Sequence, residues 1–196
     1  MMAIAFVDET YRDTRPGVPG YYQLTAAVLD RAEVAACRAG VIAIAPAGFH
    51  AAPMAAAKDY ATVQAMLQYA ANATGWNFIA MGVTAAKKME ALRQQCVEGL
   101  LLELGHQKVE HVVLDSREAI HGDPQARNKV DLATFRRLRA AGLLDSSMSI
   151  AHQHDTAEPM LSLPDAVGWA HRRHHLVGDS QYWPTVASVT SLITVP

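Results

Sequence analysis

The stretch AIAFVDET occupies residues 3–10, and the rest of the chain is organised around it. A short apolar run that ends abruptly in polar residues is typical of a buried strand. An acidic side chain at the end of such a strand is costly unless it is paired, hydrogen-bonded or bound to a metal ion. Residues 3–7 therefore predict the first strand of a sheet, with Asp8 at its exit as a candidate functional residue.

Composition restricts the class of protein. The chain has 196 residues, of which 51% are apolar, and this suits one domain with a substantial core. Its formal net charge of −2 provides no overall basic field for nucleic acid or membranes, although a local basic groove is compatible with it. The sequence has no apolar segment of membrane-spanning length and no signal peptide, and Cys37 and Cys96 match no metal-ligand spacing. We therefore expect a cytoplasmic protein without membrane contact.

Hydrophobic patterning predicts a mixed α/β sheet with flanking helices. The first three strands have short connections, which favour an antiparallel three-strand meander, and they are expected at residues 3–7, 21–29 and 41–45. Later strands alternate with helices, as in parallel sheets, and are expected at residues 76–83, 109–114 and 147–152. The helices between and after them are expected at residues 55–73, 85–104, 131–141 and 163–175, the third capped by Asp131.

The chain is expected to form one domain over residues 1–178. Residues 179–196 form a C-terminal tail in this prediction. The tail alternates Val, Thr and Ser, which suits an edge strand or an extended arm. The Ala-rich helices and the tail also leave open a homodimer interface.

Three aspartates are the candidate metal ligands. Asp8 and Asp115 each follow an apolar strand, and Asp165 lies in the first turn of the last long helix. Because the ends of parallel strands gather at one edge of a sheet, we expect the three carboxylates to meet there and to hold Mg²⁺ or Mn²⁺. Such a site acts typically on phosphate. The alternative is that Asp8 and Asp115 begin turns and that Asp165 only interacts with the helix dipole.

Four short motifs resemble those of the DUF3800 family. They are FVDET at residues 6–10, GFH at 48–50, VVLDS at 112–116 and LPDAVGWAHRR at 163–173. The resemblance implies a ribonuclease H-like fold, in which an antiparallel three-strand meander is followed by parallel strands. It also implies a metal-dependent nuclease or phosphoryl-transfer site with Asp8, Asp115 and Asp165 as ligands and with Glu9 and His50 beside them.

The chain departs from the family pattern at three places. Thr10 stands where the family has Ser, and Pro164 stands where it has Gln. The family often has a further acid shortly after its His, whereas the first acid after His50 is Asp59. A missing fourth ligand is consistent with a weaker metal site, a single metal or a scaffold without catalysis.

Histidines offer further candidates. His50, predicted at the end of the third strand, could carry a proton, bind the metal or be structural. His152 and His154 share one side of a predicted strand, as transition-metal ligands would, but no third ligand converges with them and a polar loop before the last helix also explains them.

Basic residues suggest nucleic acid as the partner. Arg172 and Arg173 lie in the cluster HRRHH at residues 171–175, near Asp165 in the predicted helix. Arg117 belongs to a second basic patch over residues 117–139. Such patches neutralise nucleic-acid backbones, but favourable interaction with a helix dipole and ordinary solvated helix faces give the same pattern.

The sequence therefore predicts a metal-dependent nuclease, or a related phosphodiester hydrolase, that acts on nucleic acid. One alternative is a non-catalytic nucleic-acid or protein binding module on the same fold. Another is an enzyme that uses the same carboxylates on a small phosphorylated substrate.

Overall fold

Six strands form one mixed sheet in the computed structural model, which describes residues 2–85, 89–116 and 126–196, without the side chains of residues 126 and 127. The strands are β1 Ala3–Arg12, β2 Gly20–Asp30, β3 Trp76–Thr84, β4 Val109–Asp115, β5 Ser149–Gln153 and β6 Thr190–Thr194. Their order across the sheet is β5-β4-β1-β2-β3-β6. The three central strands β1, β2 and β3 are antiparallel, and β4, β5 and β6 extend the sheet by parallel pairing.

Helices cover both faces of the sheet. They are α1 Val34–Ile44, α2 Ala51–Ala56, α3 Tyr60–Ala73, α4 Met89–His106, α5 Ala126–Ala140, α6 Ser162–Arg172 and α7 Pro184–Ala187. A 3₁₀ turn, Pro159–Leu161, precedes α6, and a π-helical turn, Arg173–Val177, follows it. The core on one face contains α1, α3 and α6, and the core on the other contains α4 and α5. Every described helix is too short or too polar to cross a bilayer.

The predicted ribonuclease H-like mixed sheet is confirmed as an architecture, since three antiparallel strands are extended by parallel strands between layers of helices. The predicted end of the first strand is wrong. β1 continues to Arg12 because residues 9–12 pair with β2, from Glu9 opposite Leu24 to Arg12 opposite Tyr21. Asp8 therefore lies within β1, at the point where the pairing with β4 stops.

The predicted third strand at residues 41–45 is also wrong, because these residues complete α1. Cys37 and Val41 are buried four residues apart on one face of that helix, and a short apolar run alone does not distinguish a strand from a buried helix. Gly40 does not end the helix. Its missing side chain makes room for the hydroxyl of Tyr69, which a Cβ would overlap. The third strand of the meander is β3, after the insertion of α1, α2 and α3.

The predicted helix at residues 55–73 is two helices. α2 ends before Lys58, whose φ of 64° is left-handed, and α3 begins after Asp59, whose side chain accepts a hydrogen bond from the Thr62 N–H. In the predicted tail, residues 190–194 form β6 and pair with β3.

Gly168 allows α6 to lie directly on β1 and β2. A Cβ at this position would stand 2.8 Å from Oγ1 of Thr25 and 2.9 Å from Nε2 of Gln23. The same Gln23 amide donates a 3.0 Å hydrogen bond to the Gly168 carbonyl. This close approach sets the position of Asp165 one turn earlier in α6.

We expect Gly168→Ala to lower the free energy of unfolding by about 1–3 kcal/mol because of overpacking, although Ala is the better helix former. Urea denaturation measures the change. Gly99→Ala in α4 is the control, since a Cβ there comes no closer than 3.1 Å to its nearest neighbour, Cγ1 of Val195. Equal stability of Gly168→Ala and the wild type would contradict the close seating of α6.

Candidate active site

The strand register places Asp8 beside Asp115. The last parallel pair between β1 and β4 is Val7 with Leu114, so the two aspartates are the next residues on adjacent strands. Strand side chains alternate between faces, and the residues two positions before each aspartate belong to the core under α6. Both carboxylates therefore point to the α6 face at the carboxyl ends of parallel strands, where sites are commonly built.

Asp165 and Asp155 complete a group of four carboxylates. Asp165 lies in the first turn of α6 and accepts a 2.9 Å hydrogen bond from the Ala51 N–H at the start of α2. Asp155 follows β5 by two residues, and its Oδ2 lies 3.3 Å from Nε2 of His50. The four aspartates and His50 line one pocket of about 230 Å³. The lining residues of this pocket are Asp8, Phe49, His50, Ala52, Pro53, Asp115, Asp155, Leu161, Ser162 and Asp165.

Burial and mutual repulsion make these carboxylates difficult to ionise. Burial, followed by the charges of Asp165 and Asp115, raises the pKa of Asp8 well above its usual value. Burial and the charge of Asp155 raise the pKa of Asp115 to about 6. Burial also raises the pKa of Asp165 to about 6, although the Ala51 N–H and His50 oppose this increase. A cation in the pocket would relieve the repulsion.

The donor set fits a hard divalent cation. Four carboxylates supply only oxygen ligands, which Mg²⁺ and Mn²⁺ prefer. Among the described residues, no three His, Cys, Asp or Glu side chains already stand as a metal-binding group. Metal binding would therefore require the carboxylates to turn further toward one another.

The raised pKa of Asp165 gives a pH-dependent prediction. A carboxyl whose folded pKa exceeds its unfolded pKa binds more protons in the folded state, so its contribution to stability falls as the pH rises toward about 6. Asparagine keeps the acceptor for the Ala51 N–H and does not ionise. In EDTA, the melting temperature of Asp165→Asn minus that of the wild type should therefore increase between pH 5 and pH 7, as differential scanning calorimetry measures. The subtraction cancels the titration of groups that do not interact with Asp165, and the smaller rise in the pKa of Asp8 in the variant changes the difference in the same direction. A difference that is flat or falls across this range would contradict the prediction.

Glu9 belongs to a network on the opposite face of the sheet. It accepts hydrogen bonds from the Tyr22 hydroxyl and, at 3.2 Å, from Nε of Arg93. Arg93 also donates two hydrogen bonds to the carboxylate of Asp131, one of them at 2.7 Å, and His152 Nε2 lies 3.0 Å from the same carboxylate. Burial opposes ionisation of Asp131, but Arg93 and His152 outweigh it and hold its pKa below the usual value.

The structure corrects two of the predictions. Asp131 does not cap a helix, because α5 begins five residues earlier and Asp131 lies inside it. His50 does not end a strand. It immediately precedes α2, and its side chain is 56% exposed at the mouth of the pocket. His152 points into the network, away from the carboxylate pocket, and His154 is exposed.

The three arginines that were predicted to contact nucleic acid lie in different surroundings. Arg172 lines a depression that adjoins the carboxylate pocket at Asp165. Arg173 is paired with Asp179 through Nε at 2.9 Å, and its guanidinium lies 5.1 Å from the centre of the Trp169 ring. Arg117 lies outside the described residues.

Comparison with known proteins gives a structural likeness but no sequence relative. No protein-family model matches the chain, and no curated relative matches it. The crystal structure of the ribonuclease H2 from Pyrococcus horikoshii OT3 is similar, with a TM-score of 0.49 and 13% sequence identity over 96% of this chain and 97% of that chain. A likeness at this level carries nothing about activity.

Sequence reasoning missed Asp155 as a member of the carboxylate group. The signal was present, since Asp155 follows a predicted strand at the same edge of the sheet as Asp115. The adjacent His152 and His154 indicated a transition-metal site instead. Arg93 was missed because it occurs inside a helix, where an isolated arginine is usually a solvated residue.

Proposed function

We propose that this chain is a divalent-metal-dependent nuclease that hydrolyses phosphodiester bonds in nucleic acid. The observation that carries the proposal is the convergence of Asp8, Asp115, Asp155 and Asp165 on one pocket at the carboxyl ends of parallel strands. The volume of about 230 Å³ is below the roughly 300–1,000 Å³ of typical small-molecule sites, which suits a phosphate group with ions more than a whole small ligand.

The resemblance of four motifs to the DUF3800 family supports the same assignment. That resemblance is itself a proposal, and it concerns Asp8, Asp115 and Asp165 in the pocket. In this proposal, Asp155 would serve as the fourth ligand, which the motifs left missing. It comes from the strand β5 side of the pocket instead of the helix after His50.

The residues have separable parts in this reaction. Asp8, Asp115, Asp155 and Asp165 would hold the metal, which when bound supplies an activated water molecule and neutralises charge on the phosphate. Hydrolysis forms one P–O bond from water and breaks one P–O ester bond, so the water loses a proton and the departing ester oxygen takes one up from solvent. His50 beside Asp155 is placed to accept it and to pass it to solvent, because its side chain is exposed at the pocket mouth.

Glu9 has a positioning part in the proposal. It emerges on the face opposite the pocket and is held by Arg93 and Tyr22. Its contacts fix the backbone of β1 next to Asp8. It is therefore a positioning residue here and not a ligand.

The proposal is tested by cleavage of end-labelled single-stranded, duplex and hybrid oligonucleotides in Mg²⁺, in Mn²⁺ and in EDTA. We expect cleavage only with a divalent ion. At a metal concentration of about 100 Kd, we also expect a rise in melting temperature of roughly 5–10 °C. Binding without cleavage in all conditions would favour the non-catalytic module. Neither binding nor cleavage, with no thermal shift, would overturn the proposal.

A further inference from the structure

A groove leads from the carboxylate pocket along α2 and α6. The pocket shares Ala52 and Asp165 with a depression of about 210 Å³, which is also lined by Arg172 and by residues 9–11 of β1, Glu9 among them. That depression shares Ala52, Trp169 and Arg172 with a third of about 450 Å³, which reaches Lys58. Ala52 lines all three, so the depressions adjoin one another.

The charge along this groove changes sign. The inner end is lined by carboxylates, and the outer depression is lined by Lys58, Arg172 and Arg173 with no acidic residue. Arg173 is neutralised by Asp179. For Lys58 and Arg172, the described parts of the chain provide no acidic partner. The outer groove therefore offers two cations to an anionic ligand.

The spacing separates these cations from the carboxylates. Arg172 follows Asp165 by seven residues in the same helix, which is about 10 Å along its axis. Arg172 nevertheless shares the middle depression with Asp165, whereas Lys58 lines only the outer depression. Along a bound strand, Lys58 therefore suits a phosphate other than the one at the carboxylates.

Aromatic side chains line the groove beside the cations. Tyr60 is 41% exposed in the outer depression and stacks on Tyr182, with ring centres 6.2 Å apart, and Tyr182 packs against Trp169 at 4.9 Å. Cationic grooves with exposed aromatic faces are typical of proteins that bind single strands, because unpaired bases can stack on the rings.

We propose that this groove binds a single-stranded nucleic acid, with Arg172 and Lys58 against its phosphates and Tyr60 against a base. The inference rests on the proposed nuclease function and adds the strand state and the path of the substrate. A duplex hides its base faces, so it would use the cations without the tyrosine.

The test is fluorescence anisotropy of a labelled single strand of about 15 nucleotides, and of its duplex, with the full chain in EDTA over a range of salt concentrations. We expect the single strand to bind more tightly than the duplex. Lys58→Gln and Arg172→Gln should each weaken single-strand binding roughly three- to tenfold and reduce the slope of log K against log salt by about one. Tyr60→Ala should weaken single-strand binding by about tenfold and leave duplex binding unchanged.

Lys108→Gln is the matched control. Lys108 is an exposed lysine with a φ of 57° immediately after a helix, close to the 64° of Lys58, but it lies before β4 at the opposite edge of the sheet. It should leave the affinity and the salt slope unchanged. Arg136→Gln, on α5 across the sheet, tests the other basic patch.

Three results would overturn the groove. They are preference for the duplex, equal effects of Lys58→Gln and Lys108→Gln, or loss of binding only in Arg136→Gln. Equal affinity for a polyglutamate peptide would also overturn it, since the groove would then bind any polyanion.

These outcomes are separable from the catalytic proposal. Salt-dependent single-strand binding without metal-dependent cleavage would support the groove and contradict the nuclease function. Metal-dependent cleavage without such binding would contradict only the groove.

Discussion

Replacing Asp8 by asparagine is expected to reduce divalent-metal-dependent cleavage by more than about 100-fold, the upper range for residues that only support metal ligands. The charges of Asp165 and Asp115 both raise the pKa of Asp8, so its carboxyl group interacts with two other members of the carboxylate group. Asparagine preserves the volume and removes the charge. Initial rates with labelled oligonucleotides in Mn²⁺ measure the loss.

The same variant has a second readout that does not depend on activity. In EDTA, Asp8→Asn should melt at a higher temperature than the wild type at pH 8, because it removes a desolvated carboxylate from a cluster of like charges. It should also lose most of the thermal shift with Mn²⁺. Asp13→Asn, an exposed aspartate after β1, should behave as the wild type in both measurements. Full cleavage by Asp8→Asn would remove Asp8 from the metal centre.

Replacing Arg93 by methionine is expected to cost about 3–5 kcal/mol of unfolding free energy. The side chains of Arg93 and Asp131 are 2% and 1% exposed, so the variant would leave a buried carboxylate with His152 as its one remaining partner among the described residues. Urea denaturation followed by circular dichroism measures the loss. It should be partly recovered in Arg93→Met with Asp131→Leu, since removing both charges of a buried pair is far less costly than removing one.

Arg137→Met is the matched control for this experiment. Arg137 and Glu98 also form an ion pair between α5 and α4, but their side chains are 58% and 39% exposed. Exposed pairs contribute about 0–1 kcal/mol, so the variant should remain close to the wild type. Similar losses for Arg93→Met and Arg137→Met would show that burial does not control the strength of the Arg93 pair.

Strand identity was predictable where local pattern and length agree. Residues 21–29, 76–83 and 109–114 were predicted as strands and lie in β2, β3 and β4. Residues 41–45 have the same apolar character but complete α1, because a helix buries one side of this segment against α3. The packing of α1 against α3 decides between a strand and a helix here. Because the two helices are distant in sequence, a window of five residues does not contain this information.

The candidate site divides in the same way. Asp8, Asp115 and Asp165 were recognisable because an acid next to an apolar segment is costly without a partner, and this cost is a local property of the chain. Asp155 and the Arg93 network needed the fold, since strand order decides which loops end beside β4 and which helix faces bury a charge.

By itself, the sequence determined the mixed sheet and three of its four pocket carboxylates, because periodicity and charge at strand ends are written in neighbouring residues. Tertiary structure alone decided the lateral order of the strands, the face to which each side chain of Asp8-Glu9 points, and the groove from Asp165 to Lys58. The reason is that these features depend on register and on helix seating, which arise from contacts between segments far apart in the chain.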